Sequence, residues 1–234
     1  QVNDWTTGLM GIENDTRELW ESRGQHFAYI NQPSAMGKNF ETMCNSLKPL
    51  VSSFRKPELT RLARDFGKTC DIYVNKMWAK KLGFFPTTNW SSQICPLFHE
   101  LEELLQKSKV DWTMFWRELS WYPVEQQLVQ GQEQKNKTHT ILTAFYNKTN
   151  YGPEWKEWIK KWFKILKKDK HTPTQISAQM LKQSPKYVPK EWILARAVED
   201  ADKGNFTTID ELYQLFSNPY QNQPKMNHKW YKLT

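Results

Sequence analysis

The sequence predicts an all-α protein, and three observations carry that reading. Apolar residues recur at i, i+3, i+4 and i+7 in one segment after another between Asn39 and Phe216. Almost no stretch alternates apolar and polar residues with the period of two that a half-buried strand needs. Glycine is scarce, 9 residues in 234, well under the usual ~7%, which leaves few of the tight turns that join strands. The expected organisation is a loop-rich N-terminal segment, 1–37, followed by one irregular helical domain, 38–234.

The elements follow in order. Gly8, Gly11, Gly24, Pro33 and Gly37 break up the first segment, leaving one short turn near Thr16–Trp20. From Asn39, Phe40, Met43, Cys44, Leu47 and Val51 fit a helical face. Pro57 suits a first turn, and Leu59, Leu62, Ala63, Phe66, Cys70, Tyr73 and Met77 carry a long helix to Lys81, stopped by Gly83 and Pro86. A loop at Thr87–Gln93 precedes a helix with Leu97, Phe98, Leu101, Leu104 and Leu105 on its apolar face. The next helix holds Trp112, Phe115, Trp116 and Leu119 and stops before Pro123. Val124–Asn150 is polar, so an exposed loop is expected there, with a short helix near Thr140–Tyr146.

The strongest helical pattern is Pro153–Lys168, where Trp155, Trp158, Ile159, Trp162, Phe163 and Leu166 form one stripe and the lysines lie mostly off it. Thr172-Pro173-Thr174-Gln175 has the composition of a capping box. Pro185 and Pro189 bracket a connector to a helix with Ile193, Leu194, Ala197, Val198 and Ala201, ended by Gly204. Thr208 and Glu211 suit a second capping box, opening a helix through Ile209, Leu212, Tyr213 and Phe216 that Asn218-Pro219 closes.

Composition narrows the function. Lys and Arg number 33 against 25 Asp and Glu, a net charge of +8, with a pI near 9.2 and a mean hydropathy of −0.79. No run approaches the ~18 apolar residues of a membrane-spanning helix. The 12 Trp, 12 Phe and 9 Tyr supply enough large side chains for a packed core. Cys44, Cys70 and Cys95 are too few and too scattered for a disulfide framework, so they are expected as packed thiols in a reducing compartment. There is no CxxC, HExxH, P-loop or other glycine-rich phosphate loop, and Cys95 and His99 alone do not make a metal site. Glu102-Glu103 is expected as a solvated helix face. The basic stretch Lys156–Lys170 has the charge of a nucleic-acid surface. Its tryptophans fall on the apolar stripe, however, which places them in the core. Five N-x-S/T sequons, at Asn14, Asn89, Asn136, Asn147 and Asn205, are chance occurrences in a chain rich in Asn and Thr.

Several segments together resemble one family. Ser184–Phe206, reading SPKYVPKEWILARAVEDADKGNF, and Leu212–Tyr220, reading LYQLFSNPY, are similar to the C-terminal signature of the selenoprotein O family: an "NPKYVLRN" segment, a helix, "GDF", and a helix ending in "PY". Phe27–Ser34, reading FAYINQPS, resembles that family's "YAY..QPS". Phe54–Phe84 resembles its "F…Y…MRRKLGL" helix, Asp111–Pro123 its "DFTNTFRLLS" helix, and Glu154–Lys168 its "W..WL..Y" helix, all in the same order. The resemblance implies a protein-kinase-like fold that binds ATP in an inverted orientation and transfers AMP to Ser, Thr or Tyr of proteins with Mg²⁺ or Mn²⁺.

It covers only the helical C-terminal part of such a protein. The nucleotide-binding lobe and the "GDNMSI" catalytic segment would precede Gln1, so no catalytic or cofactor-binding residue is expected in these residues. The one metal candidate is Asp4, at the distance ahead of Phe27-Ala28-Tyr29 where the family has the Asp of "DYGPFGF"; Thr6 and Thr7 stand in place of the Gly and Pro. A metal on phosphates needs at least two oxygen ligands besides the nucleotide, so Asp4 is expected as a remnant. The family's "VLRN" becomes Val188-Pro189-Lys190-Glu191, exchanging an Arg fork for a Lys and an amide for an acid. The Trp of its "WN" is Lys38, and its C-terminal Cys or selenocysteine tail has no counterpart before Thr234, so no redox switch is expected. The expected function is therefore a non-catalytic, structural or interaction subunit of a larger assembly, mitochondrial by the resemblance. Its partners would be other protein subunits, with RNA or anionic lipid as candidates for the basic surface. The alternative is the C-terminal part of a split or incompletely represented ATP-dependent protein adenylyltransferase.

Overall fold

A computed structural model describes residues 32–85, 89–129 and 140–233, among which ten α-helices are formed. They are α1 Gln32–Leu47, α2 Lys56–Lys81, α3 Cys95–Ser108, α4 Trp112–Leu119, α5 Tyr122–Val129, α6 Pro153–Leu166, α7 Pro173–Gln183, α8 Glu191–Asp202, α9 Thr207–Ser217 and α10 Pro224–Trp230. Among the described residues there is no sheet; Val110 and Phe145 form an isolated antiparallel bridge. The fold is all-α. Two compact units divide at Trp78/Ala79, inside α2.

The first unit, as described, is the pair α1 and α2. Phe40 stacks on Phe66 with centroids 4.8 Å apart. Helix α1 begins at Gln32, ahead of the expected start at Asn39, and runs through Gly37. The reason is tertiary: a Cβ at Gly37 would lie 3.6 Å from the Phe66 ring, so a small residue suits the packing despite its poor helix propensity. The expected turn at Thr16–Trp20 and Asp4 lie outside the described residues.

The second unit is built on α6. Trp155, Trp158 and Trp162 are buried, as the stripe predicts. Each indole N–H donates to a different anchor: Trp155 to Ser108 Oγ (2.7 Å), Trp158 to the Leu97 carbonyl (2.9 Å) and Trp162 to the Leu82 carbonyl (2.8 Å). Together with the Lys161–Glu100 ion pair at 2.9 Å, these anchors lay α6 antiparallel along α3. The capping box at Thr172 forms, with Gln175 N donating to Thr172 Oγ1 and Thr172 N to Gln175 Oε1. Gly83 turns the chain after α2 at φ +86°; a Cβ there would meet Ile176 Cγ2 at 2.9 Å and Leu166 Cδ1 at 3.2 Å.

Two expectations are corrected and one is refined. Pro123 occupies the first turn of α5, so Tyr122–Val129 is helical where a loop was expected. The short helix expected near Thr140–Tyr146 forms as a 3₁₀ helix, Ile141–Ala144, with Ile141, Ala144 and Phe145 buried. Thr208 and Glu211 do not form a capping box. Thr208 Oγ1 donates to Asp200 at 2.6 Å, and Glu211 accepts from Lys229 and from Trp230 Nε1 (2.8 Å), so tertiary partners outcompete the local one. Helix α10, which the sequence pattern does not announce, brings Trp230 into a core with Tyr187, Ile193, Ala197, Leu212 and Leu215.

Candidate functional site

Helix α4 is buried along its whole length, Arg117 and Glu118 included. Two adjacent charges in a helix covered on every side require partners, and those partners define the polar centre of the second unit. Arg117 Nη1 donates to the carbonyls of Ser184 and Tyr220, both at 3.1 Å. Tyr231 donates its hydroxyl to Glu118 Oε1 at 2.7 Å. Lys81, at the end of α2, donates to the Gln183 carbonyl at 3.1 Å and lies 5.1 Å from the centroid of the Trp116 ring. Lys190 pairs with Asp111 and also reaches the Lys232 carbonyl at 3.3 Å. Asp111 meanwhile caps α4 by accepting from Met114 N at 2.9 Å.

These contacts clamp the connector Ser184–Lys190 between α7 and α8. Its own backbone completes the clamp: Lys186 N and Tyr187 N both donate to the Pro219 carbonyl, at 2.8 and 3.2 Å. Lys186 Nζ donates to Asn222 Oδ1 at 2.7 Å, and the Tyr187 hydroxyl pairs with Asn227. Arg117 and Lys186 act on Glu118 and Lys190 pairs with Asp111; these five and Lys81 are all buried. Backbone carbonyls and the faces of Trp116 and Tyr231 hold the surplus of positive charge. Burial pushes the Lys81 ammonium down to about 8 and lowers Arg117 and Lys186. It raises the Tyr231 phenol, and the Glu118 carboxylate adds to that.

Chemically the cluster holds backbone in place. Its donors point at main-chain carbonyls and carboxylates, the signature of a structural clamp. The sequence singled out the connector but not Lys81, Arg117 or Tyr231. The available signal was the Arg117-Glu118 pair inside an otherwise apolar helix. Lys190, where the resembled pattern has Arg, keeps an ion pair but as a point charge.

A second feature lies at the end of α6. His171 stacks flat on Phe85, centroids 3.5 Å apart, and its Nδ1 is held by Asp169, which also accepts from His171 N. Burial raises the Asp169 carboxyl, but the hydrogen bonds from His171 outweigh it and hold the group below its usual range. A groove of about 300 Å³ opens beside them, floored by Pro123, Phe163, Leu166 and Ile176. The Asp169–His171 contact closes the turn between α6 and α7.

Among the described residues no three His, Cys, Asp or Glu side chains converge as metal ligands. Cys44, Cys70 and Cys95 are free thiols. Glu102 pairs with His99 at 2.9 Å on an accessible face of α3.

The family model described as "Protein adenylyltransferase SelO" matches residues 20–217, which takes in the clamped connector together with Lys81 and Arg117. The chain belongs to the SelO family. Similar curated relatives are named "Protein nucleotidyltransferase YdiU". The one from Flavobacterium johnsoniae is 27% identical over 223 residues, covering 93% of this chain and 40% of the relative. The one from Bacillus cereus is 26% identical over 199 residues, covering 83% and 36%. The one from Tolumonas auensis is 24% identical over 213 residues, covering 90% and 38%. The chain thus spans about two fifths of the length of the curated relatives it matches. The pieces that resemble the family's signature, the connector Ser184–Lys190 inside the match and Asn218-Pro219-Tyr220 just beyond its end at residue 217, are those that Arg117 ties together.

Proposed function

We propose that this chain is the helical scaffold part of a SelO-type protein nucleotidyltransferase. In such an enzyme a protein hydroxyl attacks the α-phosphorus of ATP, an O–P bond forms to AMP, and pyrophosphate leaves. The groups that stabilise phosphate charge would lie in the part of the enzyme these residues do not match, and the clamped helical unit gives that part a rigid support. The observation that carries the reading is the family match over residues 20–217, with the signature segment acting as a clamped connector. In the test, labelled AMP transfer to a general protein acceptor is measured for this chain alone and for a polypeptide joining it behind the unmatched part of the Flavobacterium johnsoniae protein. Transfer by the joined polypeptide, with background alone for the isolated chain, is the expected result. Labelling by the isolated chain that vanishes with Asp4→Ala would overturn it.

A second reading is a non-catalytic interaction subunit of a larger, mitochondrial assembly. The exposed apolar side chains of α1 and the following turn favour it, as does the net charge of +8. Isolation from the source under mild conditions separates the two. Copurification with proteins other than a nucleotide-binding polypeptide supports the second reading and opposes the first.

A further inference from the structure

Large apolar side chains are most exposed on one short stretch. Leu50 is 80% and Phe54 89% exposed in the turn between α1 and α2. Helix α1 leads into that turn with Met36, Met43 and Leu47, spaced by seven and four residues and so on one face. All three are exposed by 38% or more. The Phe40–Phe66 stack covers only the middle of this stripe. An apolar stripe left uncovered at both ends on a two-helix hairpin is the mark of an interface, because a short helical pair has little stability without tertiary packing.

Charge narrows the occupant. From Thr42 to Pro57 there is no acidic residue, while Lys48, Arg55 and Lys56 rim the turn; Arg55 leans on Glu58 at 3.5 Å. Length narrows it further. The relatives carry about three fifths of their polypeptide outside the match, so a large part of a working family member is available to cover this stripe. We infer that the stripe of α1 and its turn, centred on Leu50 and Phe54, is where that unmatched part of the enzyme packs, presenting an apolar face rimmed by carboxylates. The inference rests on the enzyme reading proposed above and adds the docking surface.

The test introduces Phe54→Cys into the full chain and follows its reaction with a maleimide, subtracting the rate of the native thiols. The rate is compared between the isolated chain and the polypeptide joined to the unmatched part of the Flavobacterium johnsoniae protein. A slowing of at least tenfold in the joined polypeptide is expected. Equal rates would refute the inference. So would protection of the isolated chain that grows with its own concentration, or that appears on adding phosphatidylserine vesicles or RNA, since each assigns the stripe to another occupant. As a second arm, tagged chain is produced together with the separate unmatched part. Copurification is expected, falling at least tenfold with Leu50→Ser plus Phe54→Ser; absent or unchanged copurification counts against the inference. AMP transfer by the joined polypeptide without protection at position 54 removes the docking surface and leaves the enzyme reading. Protection without transfer does the reverse.

Discussion

Helix α6 and the turn between α1 and α2 use large apolar side chains in opposite ways. In α6, Trp155, Trp158 and Trp162 are buried, and each indole N–H has a fixed acceptor. In the turn, Leu50 and Phe54 stand almost wholly free. The contrast extends to the units that carry them. Among the described residues before Ala79, Cys44 and Trp78 are the buried apolar side chains, whereas the rest of the buried core follows Ala79. Among the described residues, one unit has an extensive core, and the other has an exposed apolar face with only those two buried apolar side chains. A core of interlocked tryptophans yields a stable support, and a face without a core gives a surface that becomes stable when something is placed on it.

The sharpest way to break this comparison is to truncate one side chain from each. Trp162→Ala should cost about 3–5 kcal/mol, as large core truncations do, and also leaves the Leu82 carbonyl without its donor. Phe54→Ala should change stability by no more than about 0.5 kcal/mol, the range for exposed sites. Urea unfolding of both variants measures the difference. Similar losses would mean that the turn is part of the core.

Much of this contrast could be read from the sequence, and the unread part has a physical explanation. The α6 stripe is visible because three tryptophans at i, i+3 and i+7 define a face by themselves. The Thr172 cap is visible because its partner, Gln175, is three residues away. The clamp is not visible, because Lys81, Arg117, Ser184 and Tyr220 are brought together only by the fold. The Thr208–Glu211 cap was legible but does not form, since Asp200, Lys229 and Trp230 offer those side chains better partners. Asp4, the one metal candidate, lies outside the described residues.

The clamp gives the next test. Arg117→Met should cost about 3 kcal/mol, because it removes the donor that the Ser184 and Tyr220 carbonyls share in a buried site and one of the positive charges near Glu118. Arg117→Lys should recover part of the loss, since a point charge replaces the fork. Unchanged stability in Arg117→Met would show that the signature connector is held by packing alone. A smaller loss is expected at Gly83. Gly83→Ala should cost about 2–3 kcal/mol, combining strain at positive φ with the contact on Ile176. Thermal unfolding should place it between Arg117→Met and the exposed-site variants.

A smaller effect than the Gly83 loss concerns pH and belongs to the stable unit alone. Burial lowers the Lys81 ammonium from 10.5 in the unfolded chain to about 8 in the folded one. Between those values the unfolded chain binds more protons than the folded one, so stability must rise as pH rises from about 8 toward 10.5. Below pH 8 both states are charged, and the folded protein carries the full cost of the buried charge. The contact with the Gln183 carbonyl and the Trp116 face reduces that cost without removing it. Lys186, also lowered by burial, acts in the same direction. The Tyr231 phenol acts in the opposite sense, being raised in the folded state, but only as pH passes the ordinary tyrosine range near ~10. The window to examine is therefore pH 7 to 9, where Lys81 should add about 1 kcal/mol of stability. Lys81→Met removes the titrating group, so its stability should change less over that window than that of the native chain, by about the same 1 kcal/mol. Parallel curves for the two proteins would show that the ammonium is solvated and that the end of α2 is looser than the clamp requires.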